Sequence, residues 1–339
     1  MGGKSFFVDV SRGICGMICV EHMAKTKKTS RAPKWAWYLL AVTAVFLAAP
    51  NGTLIKTVSA EIAPVWINVL RFSIVAVAML PFVLHALPRM KWRNLRYALL
   101  AGVFYAIAVT GYVLAISLSQ ASYVAVIGLA IPIMLIVYSV YLTRERVSHR
   151  AVFGIGVAAL GGFTIMGLPL MIGQGFASEF NPLATVLALA QCLAFPLAVI
   201  FSRLANEKGL PLAATFGISS TVVTTVALGI ALLSLEPFPY RLLDQPPLLM
   251  AILYSALCVS LLARLLTVAS YRHVGSAAIA GLQYGESFLA ILLPIILLGE
   301  RMTQEMLIGG TLIILGIIIA EAHHHPSVHH HNRAGHRHI

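Results

Sequence analysis

ASYVAVIGLAIPIMLIVYSVYLTRERVSHRAVFGIGVAALGG, from Ala121, and SAAIAGLQYGESFLAILLPIILLGERMTQEMLIGGTLIILGI, from Ser276, are two copies of one pattern. At a constant offset of 155 residues, with no gap, Glu145 matches Glu300 and Arg146 matches Arg301. Gly154 matches Gly309, Leu160 matches Leu315 and Gly161 matches Gly316. Ala125, Ile136 and Leu142 recur as Ala280, Ile291 and Leu297, and Ser148 and Thr303 share a hydroxyl. Each copy is an apolar run of helix length, a short Glu-Arg turn, and a second apolar run containing Gly. Self-similarity at a fixed period marks a repeat architecture. Here the period is near half the chain.

Working outward, composition sets the class. Of 339 residues, 59% are hydrophobic and 11% are charged, and the mean hydropathy is +0.88. A soluble domain carries about 25% charge, so the solvent for most of this chain is lipid. A membrane-crossing helix needs ~20 apolar residues. The apolar runs predict ten: Trp35–Ile55, Pro64–Leu87, Leu95–Ser117, Ala121–Leu142, Ala151–Ile172, Pro182–Phe201, Leu210–Leu235, Pro247–Ser270, Ser276–Leu298 and Thr303–Ala320. The expected organisation is a basic cytosolic segment 1–34, a first five-helix repeat 35–172, a second repeat 182–320, and a His-rich cytosolic tail 321–339. The first 22 residues lack a clean signal-peptide core, and Met23 is expected to be the native start.

Loop charge orients the spans, because cytoplasmic loops collect Lys and Arg. With the N-terminus in the cytosol, the inside takes the basic N-terminal segment, Arg89, Lys91, Arg93, Arg96, Arg144, Arg146, Arg150, Arg203, Lys208, Arg272, Arg333 and Arg337. The outside receives only Arg241 and Arg301. Both termini are therefore expected in the cytosol. This asymmetry accounts for the net charge of +12 without nucleic acid, for which no basic stripe with interleaved aromatics is present. Five helices is an odd number, so the second repeat enters the membrane inverted. The predicted fold is an all-α membrane protein of ten transmembrane helices in two inverted five-helix repeats, the architecture of alternating-access transporters.

These residues resemble the EamA-type transporters of the drug/metabolite transporter superfamily. The resemblance runs from Trp35 to Ala320. It rests on Pro50-Asn51, Lys56, Pro64, Leu70-Arg71-Phe72, the block Pro132, Glu145-Arg146-Val147-Ser148, Gly154, Gly161, and the block Gly299-Glu300-Arg301-Met302-Thr303, Gly309-Gly310, Gly316. It implies a secondary transporter of a small organic metabolite, an exporter in the plasma membrane, working as a monomer or weak dimer. One departure stands out: the family places Pro after a Glu in its ninth helix, whereas Ser287 follows Glu286 here and Pro appears only at Pro294.

Charged groups at membrane depth cost ~2.5–3.5 kcal/mol each on insertion scales and so face a cavity or a partner. Three qualify: Arg71, Arg264 and Glu286. Glu286 lies roughly 15 Å from either end of its span. The arginines lie closer to an interface, roughly 10 Å from it, and snorkelling is their alternative reading. Glu286 is too short to snorkel; it either trades a proton, which would make protons the coupling ion, or forms a fixed ion pair. Asn51, Tyr112, Gln191, Gln283 and Tyr284 are the neutral polar candidates for the same pathway. Glu145, Arg146, Ser148, Glu300, Arg301 and Thr303 read as structural turns and helix caps, and Lys56, at a helix end, as interfacial.

No Walker loop, acid–base pair or metal-ligand spacing is present, so neither an enzyme nor a cofactor is expected. GIGVAALGG lies inside a span and is no dinucleotide fingerprint. Cys15, Cys19, Cys192 and Cys258 form neither a disulfide framework nor a zinc site. The tail HHHPSVHHHNRAGHRHI holds most of the 12 His, and such tracts bind metals. A metal-handling protein is thus one alternative, and a sugar-phosphate or nucleotide-sugar carrier another. No resident metal site is expected within the spans.

Overall fold

The computed structural model describes residues 34–90, 92–131, 133–134, 137–138, 149–171, 181–271 and 276–321. Segment 1–33, Pro132, Glu145, Arg146, Ser148 and the His-rich tail lie outside the described residues, and of Gln283 and Tyr284 the backbone alone is described. The described residues form helices joined by short turns and linkers and contain no strand. In chain order they form α1 (Lys34–Ala48), α2 (Asn51–Ser59), α3 (Pro64–Ala86), α4 (Trp92–Leu118), α5 (Ala121–Gly128), α6 (His149–Met171), α7 (Pro182–Glu207), α8 (Leu212–Leu233), the short α9 (Arg241–Asp244), α10 (Pro246–Leu253), a π-helical stretch Tyr254–Ala263, α11 (Arg264–Tyr271), α12 (Ser276–Leu298) and α13 (Gln304–Glu321).

The boundaries follow local chemistry. Pro50 interrupts the first run, so α1 and α2 meet at a break, as expected of a residue that lacks an N–H. Pro64 and Pro182 occupy the first turns of their helices, where that missing donor costs nothing. The Asn181 side chain caps α7 by accepting from Leu183 N at 2.9 Å. Thr303 Oγ1 does the same for α13 from Met306 N at 3.3 Å. Gly299, at φ +67°, ends α12 in the left-handed conformation that glycine adopts without strain.

Six helices among the described residues are long and apolar enough to cross a bilayer: Trp35–Ser59, Pro64–Ala86, Asn94–Leu118, Pro182–Glu207, Leu212–Leu233 and Pro246–Thr267. Shorter apolar stretches run Val152–Ile165, Gly285–Leu298 and Gln304–Gly316. The chain is a multi-pass membrane protein. Its outward side chains are apolar, among them Phe46, Val77, Leu84, Phe153, Phe163, Val186, Leu232 and Phe288. Between helices the contacts are made by small residues: Ala98, Ala101, Ala106 and Ala108 on α4, and Ala184, Ala188, Ala194, Ala198 and Ala205 on α7. In lipid, close backbone approach replaces the hydrophobic drive to associate.

Contacts fix helix directions. Asn94 Nδ2 reaches Lys208 O at 2.6 Å, Phe104 stacks on Phe201, and a Cβ on Gly111 would lie 2.8 Å from Leu187 O, so α4 and α7 run antiparallel. Lys56 on α2 and Glu300 after α12 both bind the α4–α5 corner. Trp66 at the start of α3 donates to Glu236 O, just past α8, at 3.3 Å. One end of the bundle therefore gathers the ends of α2, α4, α8 and α12 and the starts of α3, α5 and α13.

The matched glycines settle how the two copies meet. On α6 and α13, a Cβ at Gly161 would lie 2.5 Å from Gly309 O, and one at Gly316 would lie 2.5 Å from Gly154 O. Gly309 is the repeat partner of Gly154, and Gly316 of Gly161. Each glycine thus packs on the partner of the other, in antiparallel helices. That exchange is the isologous contact a two-fold axis produces, and the axis lies across the helices. Other equivalent elements also pack against each other, α3 with α8 and α5 with α12.

Candidate functional site

Building the centre begins with Arg71, on α3. Its side chain is 6% exposed, and its Nε–H donates to Ser260 Oγ. Ser260 in turn donates to Ser255 O, five residues back, at 2.8 Å. That spacing belongs to the π-helical stretch Tyr254–Ala263; π-turns occur frequently at functional sites. Ser255 Oγ reaches Asn51 Oδ1 at 3.5 Å, and the Tyr112 hydroxyl lies beside Asn51. Gly52 makes room for that phenol, whose oxygen lies 3.2 Å from where a Cβ on Gly52 would stand. The first repeat supplies Asn51, Arg71 and Tyr112; the second supplies Ser255 and Ser260.

Arg264 begins α11, directly after the π-helical stretch. Its guanidinium lies 5.4 Å from the Tyr105 ring centroid, 5.6 Å from Phe195 and 5.9 Å from Phe216. Phe72 packs edge-on against Tyr105 at 5.5 Å, and the Arg71 guanidinium lies 5.3 Å from the Phe72 ring. A chain of rings thus joins the two arginines. Aromatic faces stabilise a desolvated cation while leaving its N–H edge open for other partners. Glu286, half-buried on α12, feels the Arg264 charge across this space.

The hydrogen bonding left unused at this centre is its main chemical property. Among the described residues, Arg71 donates through Nε alone, Arg264 donates no hydrogen bond, and Glu286 accepts none. No ion pair joins these three; the single one among the described residues is Arg203–Glu207, at the surface. Gln191, on the α4–α7 seam beside Gly111, carries a buried Oε1 without a partner, and Asn68 Oδ1 and Thr110 Oγ1 are in the same state. Buried polar groups are ordinarily paired, so each of these is a candidate contact for a polar solute or for water.

The structure thus brings Asn51, Arg71 and Tyr112 into one network and sets Arg264 and Glu286 beside it. Gln191 borders it on the α4–α7 seam, without a hydrogen bond to the arginines. Sequence reasoning missed Ser255, Ser260, Tyr105, Phe195 and Phe216. A serine pair five apart in an apolar run was the available signal.

Two other residues make contacts that their sequence reading did not include. Lys56 Nζ donates to Ile116 O at 3.0 Å and Ser119 O at 2.6 Å, capping α4. Glu300 does more than shape its own turn. Its carboxylate crosses to the first repeat and accepts from Ala121 N and Ser122 N, both at 2.8 Å, and from Ser122 Oγ at 2.6 Å. A carboxylate on the first N–H groups of α5 is favoured by both charge and unpaired donors. Arg301 is exposed. Among the described residues, no group of three His, Cys, Asp or Glu is placed to hold a metal.

Comparison with known proteins bears on the whole chain. The model of the EamA-like transporter family matches residues 35–167 and 182–321. No curated protein matches. A solved structure described only as "Crystal structure of protein" resembles the chain with a TM-score of 0.54 at 17% identity, covering 85% of this chain and 97% of the other. That likeness concerns the fold alone.

Proposed function

The chain belongs to the EamA-like transporter family, and on that premise we propose that it exports a small organic metabolite across the plasma membrane as a secondary transporter, by alternating access. Membership makes it a membrane transporter of small solutes; the remainder is our reading. The observation that carries it is the half-paired polar centre. Arg71, Asn51 and Tyr112 come from one repeat and Arg264 and Glu286 from the other, and the arginines and Glu286 keep hydrogen-bonding capacity that no described residue takes up. Gln191 lines the approach, and Gln283 and Tyr284 join the pathway through their place on the Glu286 helix. A site at the interface of repeats, near mid-membrane, is where such transporters bind cargo.

Ten spans in two inverted repeats, 35–172 and 182–320, complete the reading. In support, α6 and α12 each run 23 residues, about 34 Å of helix against a hydrocarbon core of about 30 Å. The antiparallel glycine exchange supports the inversion. Loop charge puts both termini in the cytosol, so the end that gathers Lys56, Glu300 and Trp66 faces outward. Glu300, Arg301 and Thr303 form the turn and cap on the outer side; their sequence counterparts Glu145, Arg146 and Ser148 lie outside the described residues. The protein acts as a monomer or weak dimer.

Glu286 couples export to protons. Metabolite profiles inside and outside cells, with and without the protein, identify the cargo; Glu286→Gln then tests the mechanism in proteoliposomes. Uphill export should fail while exchange of labelled for unlabelled cargo persists. If Glu286 is instead a fixed countercharge, exchange fails too, and Arg264→Ala partly restores it. Normal uphill export by Glu286→Gln at every pH would remove Glu286 from the mechanism.

A further inference from the structure

We infer that the cargo is a small organic anion, and that Arg71 is the residue that grips its carboxylate or phosphate. This rests on the transporter reading of the same site and adds the class of the cargo. Two guanidinia, Arg71 and Arg264, share the centre with one carboxyl group, Glu286. The centre is therefore positive whether Glu286 carries its proton or not. Among the described residues no second acid reaches either arginine. A buried arginine in a membrane protein is ordinarily paired with an acid or with backbone carbonyls, and the described residues provide Arg71 with neither.

Arg71 is the better anchor of the two. Ser260 holds its Nε–H from one side, and the Phe72 ring lies 5.3 Å from the guanidinium carbon. The plane is thereby fixed, and among the described residues the two terminal nitrogens have no hydrogen-bond partner. Two parallel N–H groups in that fork match the two oxygens of a carboxylate or phosphate. Arg264 has rings of Tyr105, Phe195 and Phe216 around it and, among the described residues, no hydrogen bond, so it adds positive field and an apolar wall for the body of the solute. A cation at this place would face two like charges, which is how a site rejects a wrong partner. A neutral solute would leave the fork unpaired, a penalty that discriminates strongly.

The test uses purified full-length protein in lipid nanodiscs and four probes that share a ring and differ in the head group: benzoate, phenyl phosphate, benzyl alcohol and benzylamine. Each is supplied at ~10 mM, enough to fill even a millimolar site, and thermal unfolding is followed by tryptophan fluorescence. Benzoate, phenyl phosphate or both should raise the midpoint, and benzyl alcohol and benzylamine should not. A shift with benzoate alone assigns a carboxylate cargo; one with phenyl phosphate alone assigns a phosphate. The anion-dependent shift should vanish in Arg71→Gln, shrink in Arg71→Lys, which keeps the charge without the fork, and weaken about tenfold in affinity in Ser260→Ala, roughly one paired hydrogen bond. If Arg71→Gln does not give folded protein, a reduced shift in Arg71→Lys and Ser260→Ala supports the assignment, and an unchanged shift overturns it. Equal shifts with the alcohol or the amine, no shift with either oxyanion, or a full shift in Arg71→Gln also overturn it. Anion binding by a protein that transports nothing would sink the transporter reading and leave Arg71 as the grip of an anion site without a cargo. Export of a cationic metabolite by a protein indifferent to both oxyanions would do the reverse.

Discussion

At the scale of single residues, Glu300 separates what a sequence can disclose from what docking decides. Its carboxylate ties the second repeat to the first turn of α5 through three hydrogen bonds. Hydrogen bonds to a charged group contribute about 1.5–3 kcal/mol. Glu300→Gln removes the charge and turns an amide against two N–H donors, so it should lower stability by about 2 kcal/mol in equilibrium unfolding. Arg301→Ala, at the exposed neighbour, should stay within about 0.5 kcal/mol of the parent. Equal effects would mean that the contact across repeats contributes nothing. In the sequence, Glu300 was recognisable as a turn residue because Glu145 repeats it, but its partner depends on how the repeats pack, and no local pattern carries that. Arg71, Arg264 and Glu286 were recognisable for the opposite reason. A charge inside an apolar run is conspicuous wherever its partners lie. Ser260 and the rings around Arg264 were not, because serines and aromatics are common in such runs and only the π-helical register brings Ser260 to Arg71.

Among elements, the contact of α6 with α13 is the most exacting. The space at Gly161, Gly309 and Gly316 is closed by backbone atoms at 2.5–2.6 Å, which cannot move aside as a flexible side chain can. Gly161→Ala, Gly309→Ala and Gly316→Ala should each destabilise by about 1–3 kcal/mol, the usual effect of overpacking. Gly156 and Gly229 meet nothing within 4 Å. Alanine there should be neutral or stabilise by up to about 1 kcal/mol, the difference in helix propensity. Thermal unfolding of the five variants checks this, and a uniform response would contradict the assigned packing. The sequence indicated that these glycines allow close approach; it could not indicate that each meets the repeat partner of the other. The break at Pro50 was legible from one residue, whereas the π-helical stretch was not, since its composition is that of any apolar helix.

Taken as a whole molecule, the proposed orientation makes one accessible prediction. A single cysteine introduced by Arg301→Cys should react with a membrane-impermeant maleimide added to intact cells, and one introduced by Arg146→Cys should not. The reverse pattern would overturn the proposed topology. The exchange of glycines between α6 and α13 reaches further, into ancestry. A seam in which each glycine meets the duplicate of the other is what forms when two identical short proteins enter one bilayer in opposite senses. Fusion of their genes would then have added only a tether, between residues 171 and 182. If so, the tether should be dispensable. Residues 1–175 and 176–339, expressed as separate polypeptides in one cell, should assemble and co-purify, and Gly316→Leu in the second half should abolish their recovery as a pair.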